Sequence, residues 1–224
     1  MLHRLARTPA QLRTGCVLAT LAHAIFTAHS PELANEQSWD GQSYNVQDSQ
    51  GAMGTVTFGE SRTVGAFFDS HSERNPFSHD TGNAQAALLS EMPTEVTALA
   101  DRETLQYLLQ EYEGKTVPLV TSVFWSDDDS FVAPEPWPEA FSNGAHLVQN
   151  QLRPADEAIE IWRSHYELST QEVTLLRSLF AEATERSGTT VMSENEKAVL
   201  LARGDEGLQQ SRDLFAGVGI AIPD

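Results

Sequence analysis

The sequence predicts an α+β protein, in which helices pack a small antiparallel sheet and the last third of the chain is helical. Two observations lead to this prediction. Between residues 43 and 68, apolar side chains occupy every second position of three short runs, as in strands with one buried face. From residue 153 onward they recur three and four positions apart, which is the spacing along one face of a helix.

The N-terminal segment, residues 1–37, begins with several arginines and continues with a largely apolar run, Cys16–Ala28. This pattern is typical of a secretory signal, but Ser30 is followed by a proline and makes a poor cleavage site. The run is also too short to span a bilayer. We therefore expect an N-terminal helix and a cytoplasmic protein. The alternative, an exported protein whose residues 1–30 are a signal peptide, stays open.

The apolar face of this N-terminal helix is expected to pack on the meander of strands over residues 43–68. Its members are Leu18, Leu21, Ala22 and Ile25. Their positions along the chain follow the helical spacing of three and four residues, so all four side chains point the same way.

The predicted sheet is built on a meander of three strands. The strands are Tyr44–Gln47, Thr55–Phe58 and Val64–Phe68. Turn-forming residues connect them at Asp48–Gly51 and at Gly59–Arg62. Short connections of this kind join neighbouring antiparallel strands.

Helices are predicted between the meander and residue 114. A short helix covers 84–91, and Pro93 interrupts it. A stronger pattern runs over 96–112, with Gly114 as its C-cap. The apolar face of this second helix comprises Leu105, Leu108, Leu109 and Tyr112.

Two further strands are expected to complete the sheet, one near 116–125 and one near 144–152. The three aspartates Asp127–Asp129 form a turn between them. Pro134–Pro138 contains three prolines in five residues, so we expect an extended and rigid connection there.

The C-terminal third contains two sequence signatures of helix starts, Ser169–Glu172 and Ser193–Glu196. In such a capping box the serine and the glutamate each bond a free backbone N–H of the other. A last helix is predicted from Asp205 to Phe215, before a short apolar tail.

The chain is long enough to bury a substantial core. We expect three segments: 1–37, an α+β core over 38–152 and a helical region over 153–224. No linker separates the last two, so the helical region is expected to pack on the core as part of one domain.

The charge balance is strongly acidic. Fourteen Lys and Arg residues stand against thirty-two Asp and Glu residues, a formal net charge of -18. Such a surface repels the phosphates of nucleic acids, so we expect no nucleic-acid partner. It attracts a basic protein and speeds the encounter with it. The alternative is that the charge serves solubility alone.

Catalytic and cofactor motifs are not found in the sequence. Gly114-Lys115-Thr116 resembles the end of a phosphate-binding loop, but the earlier glycine is missing and the order of helix and strand is reversed. Cys16 is the single cysteine, which excludes an intrachain disulfide and a cysteine-rich zinc site. We expect an inert thiol at Cys16, and no cofactor.

One polar loop has side chains suited to metal binding. Asp69, His71 and Glu73 alternate after the last meander strand, with His79 and Asp80 downstream. Alternate residues leaving a strand project to the same side, and His with carboxylates suits zinc, manganese or iron. The competing interpretation is an ordinary exposed loop, since these residue types are common in loops.

Candidate partner-binding residues are aromatic side chains near acidic ones. Trp39 stands beside an Asp-Gly pair, and Trp137 lies between two prolines, so neither is easily buried by local pattern. Together with Asp127, Asp128 and Asp129 they have the composition of a binding hot spot.

These observations favour an acidic, non-enzymatic protein-binding module. A concrete version is an immunity-type inhibitor that neutralises a basic protein such as a bacterial toxin or nuclease. The similarity to immunity proteins is one of size and acidity. The first alternative is a metal-dependent enzyme that uses Asp69, His71 and Glu73, and the second is a secreted or periplasmic binding protein. The oligomeric state is left open.

Overall fold

A computed structural model describes residues 1–79, 84–185 and 188–223. It confirms the α+β class, with a seven-stranded antiparallel sheet and a helical C-terminal part. No helix in the described ranges is both long and apolar enough to cross a membrane.

The strands fall into one large sheet and two short ribbons. Their bounds are β1 His3–Leu5, β2 Gln37–Asp40, β3 Ser43–Gln47, β4 Ala52–Phe58, β5 Thr63–Asp69, β6 Leu109–Tyr112, β7 Lys115–Pro118, β8 Ser122–Asp127, β9 Ser130–Ala133, β10 Thr190–Val191 and β11 Ile220–Ala221. The order in the large sheet is β1-β9-β8-β5-β4-β3-β2, while β6 pairs with β7 and β10 with β11.

The helices lie mostly after the sheet strands. Their bounds are α1 Pro9–Thr27, α2 Ala84–Ser90, α3 Thr94–Arg102, α4 Trp137–Ser142, α5 Ala155–His165, α6 Thr170–Glu185, α7 Glu194–Leu200 and α8 Leu208–Gly217. Short 3-10 helices occupy Pro31–Glu36, Thr104–Leu108, Ala145–Val148 and Leu201–Arg203.

The chain divides into two compact units. The first comprises Met1–Leu12 and Asp40–Gln149, and the second comprises Arg13–Trp39 and Asn150–Asp224. The first unit holds nearly all of the large sheet with α2, α3 and α4, and the second holds the C-terminal helices.

The predicted meander is confirmed as β3, β4 and β5. Tyr44 pairs with Val56, and Val56 with Gly65. Every residue of β5 is buried, because strands flank it and side chains cover both of its faces. Gly65 has a steric role there, since a Cβ on it would lie 2.6 Å from the ring of Phe124.

The helix predicted over 96–112 ends early, at Arg102. A 3-10 helix then buries Leu105 and Leu108, and Leu109–Tyr112 forms strand β6, with Leu109 41% exposed. The cause is the turn that follows. Glu113 and Gly114 both have positive φ, 50° and 75°, as in the tight hairpin turns that match strand twist, so Tyr112 pairs with Lys115.

The strand predicted near 116–125 is two strands, β7 and β8, and β9 after the aspartate turn was not predicted. The strand predicted near 144–152 is wrong. Gly144 has a φ of 116°, and a 3-10 helix follows in which Ala145 and Val148 are buried. Their spacing of three residues is one turn of that helix.

The proline-rich connection also differs from its prediction. The chain bends at Pro134 and Glu135, Pro136 is extended with φ -54° and ψ 139°, and α4 begins at Trp137 with Pro138 in its first turn. Proline is tolerated there because its missing N–H would have no partner within the helix.

The expected helix near the N-terminus is α1, and the four residues of its predicted apolar face belong to a core cluster that includes no described residue of β3, β4 or β5. Leu18, Leu21, Ala22 and Ile25 lie in the hydrophobic core of the second unit with residues of α5, α6 and α8. Apolar side chains of α5, α6 and α8 recur at helical spacing and bury this face of α1.

Both predicted capping boxes form. The Ser169 and Ser193 backbone N–H groups each donate to a Glu carboxylate, at 2.8 and 2.9 Å. The Glu172 and Glu196 N–H groups donate back to the serine hydroxyls, at 3.2 and 3.3 Å. These boxes start α6 and α7.

Candidate binding site

Three turns of the first unit lie at one end of the large sheet. They follow β2, join β4 to β5 and join β8 to β9. The register places them together, because Phe58 pairs with Thr63, Val64 with Trp125 and Asp127 with Ser130. The Phe58 N–H also donates to the Gln42 carbonyl at 2.9 Å.

Four carboxylates mark this end of the sheet. They are Asp40, Glu60, Asp128 and Asp129, all exposed. None of the four forms an ion pair with a described residue. We refer to these four residues as the acidic end.

A cleft of about 530 Å³ opens beside the acidic end, between the first two turns and α3. Its charged lining comprises Asp40, Glu60, Arg62, Glu95, Arg102 and Glu103. Ser43 and Thr57 contribute buried hydroxyl groups, whose oxygens are 2.9 Å apart. The Thr104 hydroxyl donates a hydrogen bond to Thr57 Oγ1 at 2.8 Å. The cleft therefore combines a hydroxyl floor with a charged rim.

Both arginines of the cleft already have carboxylate partners. Arg62 Nε donates to Glu95 Oε1 at 2.6 Å, and Arg102 Nε donates to Glu103 Oε1 at 3.1 Å. Among the described residues, the charges of the cleft that have no ion-pair partner are consequently the negative ones, Asp40 and Glu60.

Tyr107 supplies the aromatic group of the cleft. Its hydroxyl donates to Asp40 Oδ2 at 2.7 Å, and its side chain is partly exposed. Burial and the neighbouring Asp40 carboxylate raise the pKa of Tyr107, so the phenol stays protonated and donates at neutral pH.

The predicted aspartate turn lies at this same end. Asp127 closes β8 and pairs with Arg4 of β1, whose side chain is 57% exposed. Asp128 and Asp129 form the turn, and Asp128 has a φ of 52°, which aspartate tolerates better than most residues.

Trp137 lies elsewhere in the unit and is buried. Its indole N–H donates to the His3 carbonyl at 3.1 Å, and its ring packs against Phe124 and Phe141. His3 pairs with Ala133, at the opposite end of β9 from the aspartate turn. The structure therefore does not bring Trp137 to Asp127–Asp129.

Trp39 belongs to the second unit. Its side chain is partly buried, and its indole N–H donates to Thr20 Oγ1 at 2.9 Å. Gly217 lies against it, since a Cβ on that glycine would be 3.3 Å from the Trp39 Cβ. This tryptophan thus contacts α1 and α8.

The loop proposed for metal binding does not gather its three side chains. Asp69 is buried, and its Oδ1 accepts the His71 backbone N–H at 2.8 Å. The structure does bring two of the three side chains together, since His71 Nδ1 lies 3.4 Å from Asp69 Oδ1 although the His71 side chain is 75% exposed. Glu73 is exposed, and within the described ranges no three His, Cys, Asp or Glu side chains form a metal-binding group. Asp80 lies outside the described residues.

Arg74 fixes this loop to the sheet. Its guanidinium pairs with Glu135, whose side chain is 7% exposed, and donates to the Thr121 carbonyl at 2.9 Å. The Glu135 carboxylate lies sixty-one residues away from Arg74 along the chain.

Cys16 is fully buried in α1. Burial raises the pKa of its thiol well above the ordinary value, with a small opposing effect of Arg13. The thiol is therefore held in its unreactive form.

Sequence reasoning missed the cleft. Glu60 and Tyr107 are forty-seven positions apart and no local motif joins them. A signal was nevertheless present, because alternate turns of an antiparallel meander emerge at the same end of the sheet. The Asp40-Gly41 and Glu60-Ser61 turns obey that rule.

Comparison of the chain with protein-family models, with curated proteins and with solved structures gives no match.

Proposed function

We propose that this protein is an acidic, non-enzymatic binding module that inhibits a basic protein, in the manner of an immunity protein. The observation that carries the proposal is the acidic end of the sheet. There the turns between strands present carboxylates that form no ion pair with any residue the structure describes, beside a partly exposed tyrosine.

Two physical effects support the proposal. A net charge of -18 raises the rate at which a cationic protein encounters this one. A carboxylate that has no cation nearby also interacts more favourably with a cation of the partner than a carboxylate that is already paired. In such complexes a concentrated charge also favours one docking orientation over others. A toxin or nuclease with a cationic active site has the matching chemistry. Its active site would be covered by the acidic end.

The first step of the test is to recover a partner. The full chain is immobilised and exposed to a lysate of its native host, and a retained protein is identified, purified and assayed with and without the chain. We expect a protein of basic isoelectric point whose activity falls on addition of this one. A mass measurement of the mature chain in that host checks the proposed cytoplasmic location.

The second step is a charge reversal with a matched control. Glu60→Lys/Asp129→Lys alters the acidic end, and Glu113→Lys/Glu139→Lys alters exposed carboxylates elsewhere in the same unit. Each pair changes the net charge by +4, from -18 to -14. We expect the first pair to slow association about tenfold at low salt, and the control pair to slow it much less.

Either of two results contradicts the proposal. One is a retained partner that is neutral or acidic and whose binding does not respond to salt. The other is an equal loss of association rate in both double variants, because the net charge and not the acidic end would then be responsible.

A further inference from the structure

We infer that the cleft receives a single arginine side chain of the basic partner. This inference rests on the proposed function and identifies the group that would be recognised. It concerns only the first unit and the residues that line the cleft there.

The size and lining of the cleft fit a guanidinium group. A volume of about 530 Å³ lies within the range of sites that enclose small ligands. Asp40 and Glu60 form no ion pair within the described part of the chain, and the buried Ser43 and Thr57 hydroxyls add acceptors. A guanidinium carries five N–H donors in a rigid plane and can reach several of these oxygens at once.

The existing ion pairs argue against an anionic ligand. Arg62 and Arg102 line the same cleft, but Glu95 and Glu103 neutralise them. An incoming anion would have to displace a carboxylate and would face Asp40 and Glu60 as well. An incoming cation can form ion pairs with the carboxylates of Asp40 and Glu60 without displacing another group.

Tyr107 favours arginine over lysine. Its hydroxyl is held by Asp40 at 2.7 Å, so the partly exposed ring has a fixed place beside the carboxylate. A planar guanidinium stacks on an aromatic ring while its edges donate to carboxylates, whereas an ammonium is compact and strongly hydrated.

The test uses the whole protein and a defined probe. N-acetyl-arginine methylamide is titrated into isotope-labelled protein, and backbone amide shifts are followed by NMR. We expect shifts confined to the cleft and a dissociation constant on the order of 1 mM, as suits a few charged hydrogen bonds near solvent. The lysine analogue should bind several-fold more weakly and the uncharged citrulline analogue should not bind.

Variants connect the binding to the named side chains. Asp40→Asn keeps an acceptor for the Tyr107 hydroxyl while removing the charge, and Glu60→Gln breaks no ion pair with a described residue. Asp40→Asn/Glu60→Gln should weaken arginine binding about tenfold, and Glu113→Gln/Glu139→Gln should leave it unchanged. Tyr107→Leu should reduce the preference for arginine over lysine.

The outcomes separate this inference from the proposed function. One outcome is that a basic partner is inhibited, its affinity is unchanged by Asp40→Asn/Glu60→Gln, and the arginine probe causes no shifts at a concentration about twentyfold above the expected dissociation constant. In that case the assignment of the cleft is wrong and the proposed function stands. If the probe binds as described but no basic partner exists, the proposed function fails and the cleft remains an arginine site. Equal binding of the citrulline analogue overturns the inference.

Discussion

Acidification is expected to destabilise the second unit through His23. This residue lies on α1 with no exposed surface, 5.7 Å from the ring of Tyr166, and neither ring nitrogen makes a hydrogen bond of normal geometry. Burial lowers the pKa of His23 to about 4, and the nearby backbone of Ala34 and Leu33 opposes this shift only in part.

The sign and size of the effect follow from the two pKa values. The unfolded chain titrates near 6.5 and the folded chain near 4, so the unfolded state binds more protons between these values. Stability is therefore complete above about pH 6.5 and is lost as the pH falls towards 4. The difference corresponds to about 3 kcal/mol in total and to about 2 kcal/mol at pH 5.

The assay is urea unfolding of the wild-type protein and of His23→Leu between about pH 8 and pH 4.5, where the unfolded-state imidazole changes charge. The many carboxylates titrate in both proteins, so the difference between the two curves isolates the imidazole. We expect the wild-type protein to lose more stability than the variant on acidification. His71→Gln is the matched control, because that side chain is 75% exposed.

Some pH dependence should survive in His23→Leu. Burial and the nearby Arg203 also lower the pKa of His29, against the opposing effect of Glu172. The reasoning is refuted if wild type and His23→Leu lose stability in parallel, or if the imidazole of His23 titrates near its ordinary pKa in the folded protein.

Two further predictions concern the stability of the first unit, and both are measured by urea unfolding. Arg74→Ala leaves the Glu135 carboxylate buried without its cation and should lower the free energy of unfolding by about 3–5 kcal/mol. Arg4→Ala removes an exposed ion pair and should lower it by less than about 1 kcal/mol. Similar losses in the two variants would show that burial of the pair is unimportant. Gly65→Ala places a methyl group 2.6 Å from a fully buried phenyl ring and should cost about 1–3 kcal/mol, and an unchanged stability would mean that the ring yields easily.

Local sequence patterns determined much of this protein. The period of two over residues 43–68 specified the meander, because alternate side chains of a strand face one core. The capping boxes at Ser169 and Ser193 specified two helix starts, because each box closes within three residues. In both cases the deciding interactions lie near one another in the chain.

Other features were left ambiguous by the local pattern, because the same residues fit two kinds of element, and there only the folded structure decided. Leu109 and Tyr112 fit a helical face by spacing, yet the Glu113-Gly114 turn folds them into a hairpin. Periodicity records which residues share a face, and short segments satisfy more than one period.

The candidate site is the clearest case in which the folded structure decided. The prolines on either side of Trp137 give no local reason for its burial, but the rings of Phe124 and Phe141 pack against it. Strand register sets the turns of Asp40 and Glu60 side by side, and Glu95 and Glu103 occupy Arg62 and Arg102. Asp40 and Glu60 therefore stay without a cation among the described residues. The sequence fixes how many carboxylates the chain carries, and long-range pairing decides which of them remain free to bind.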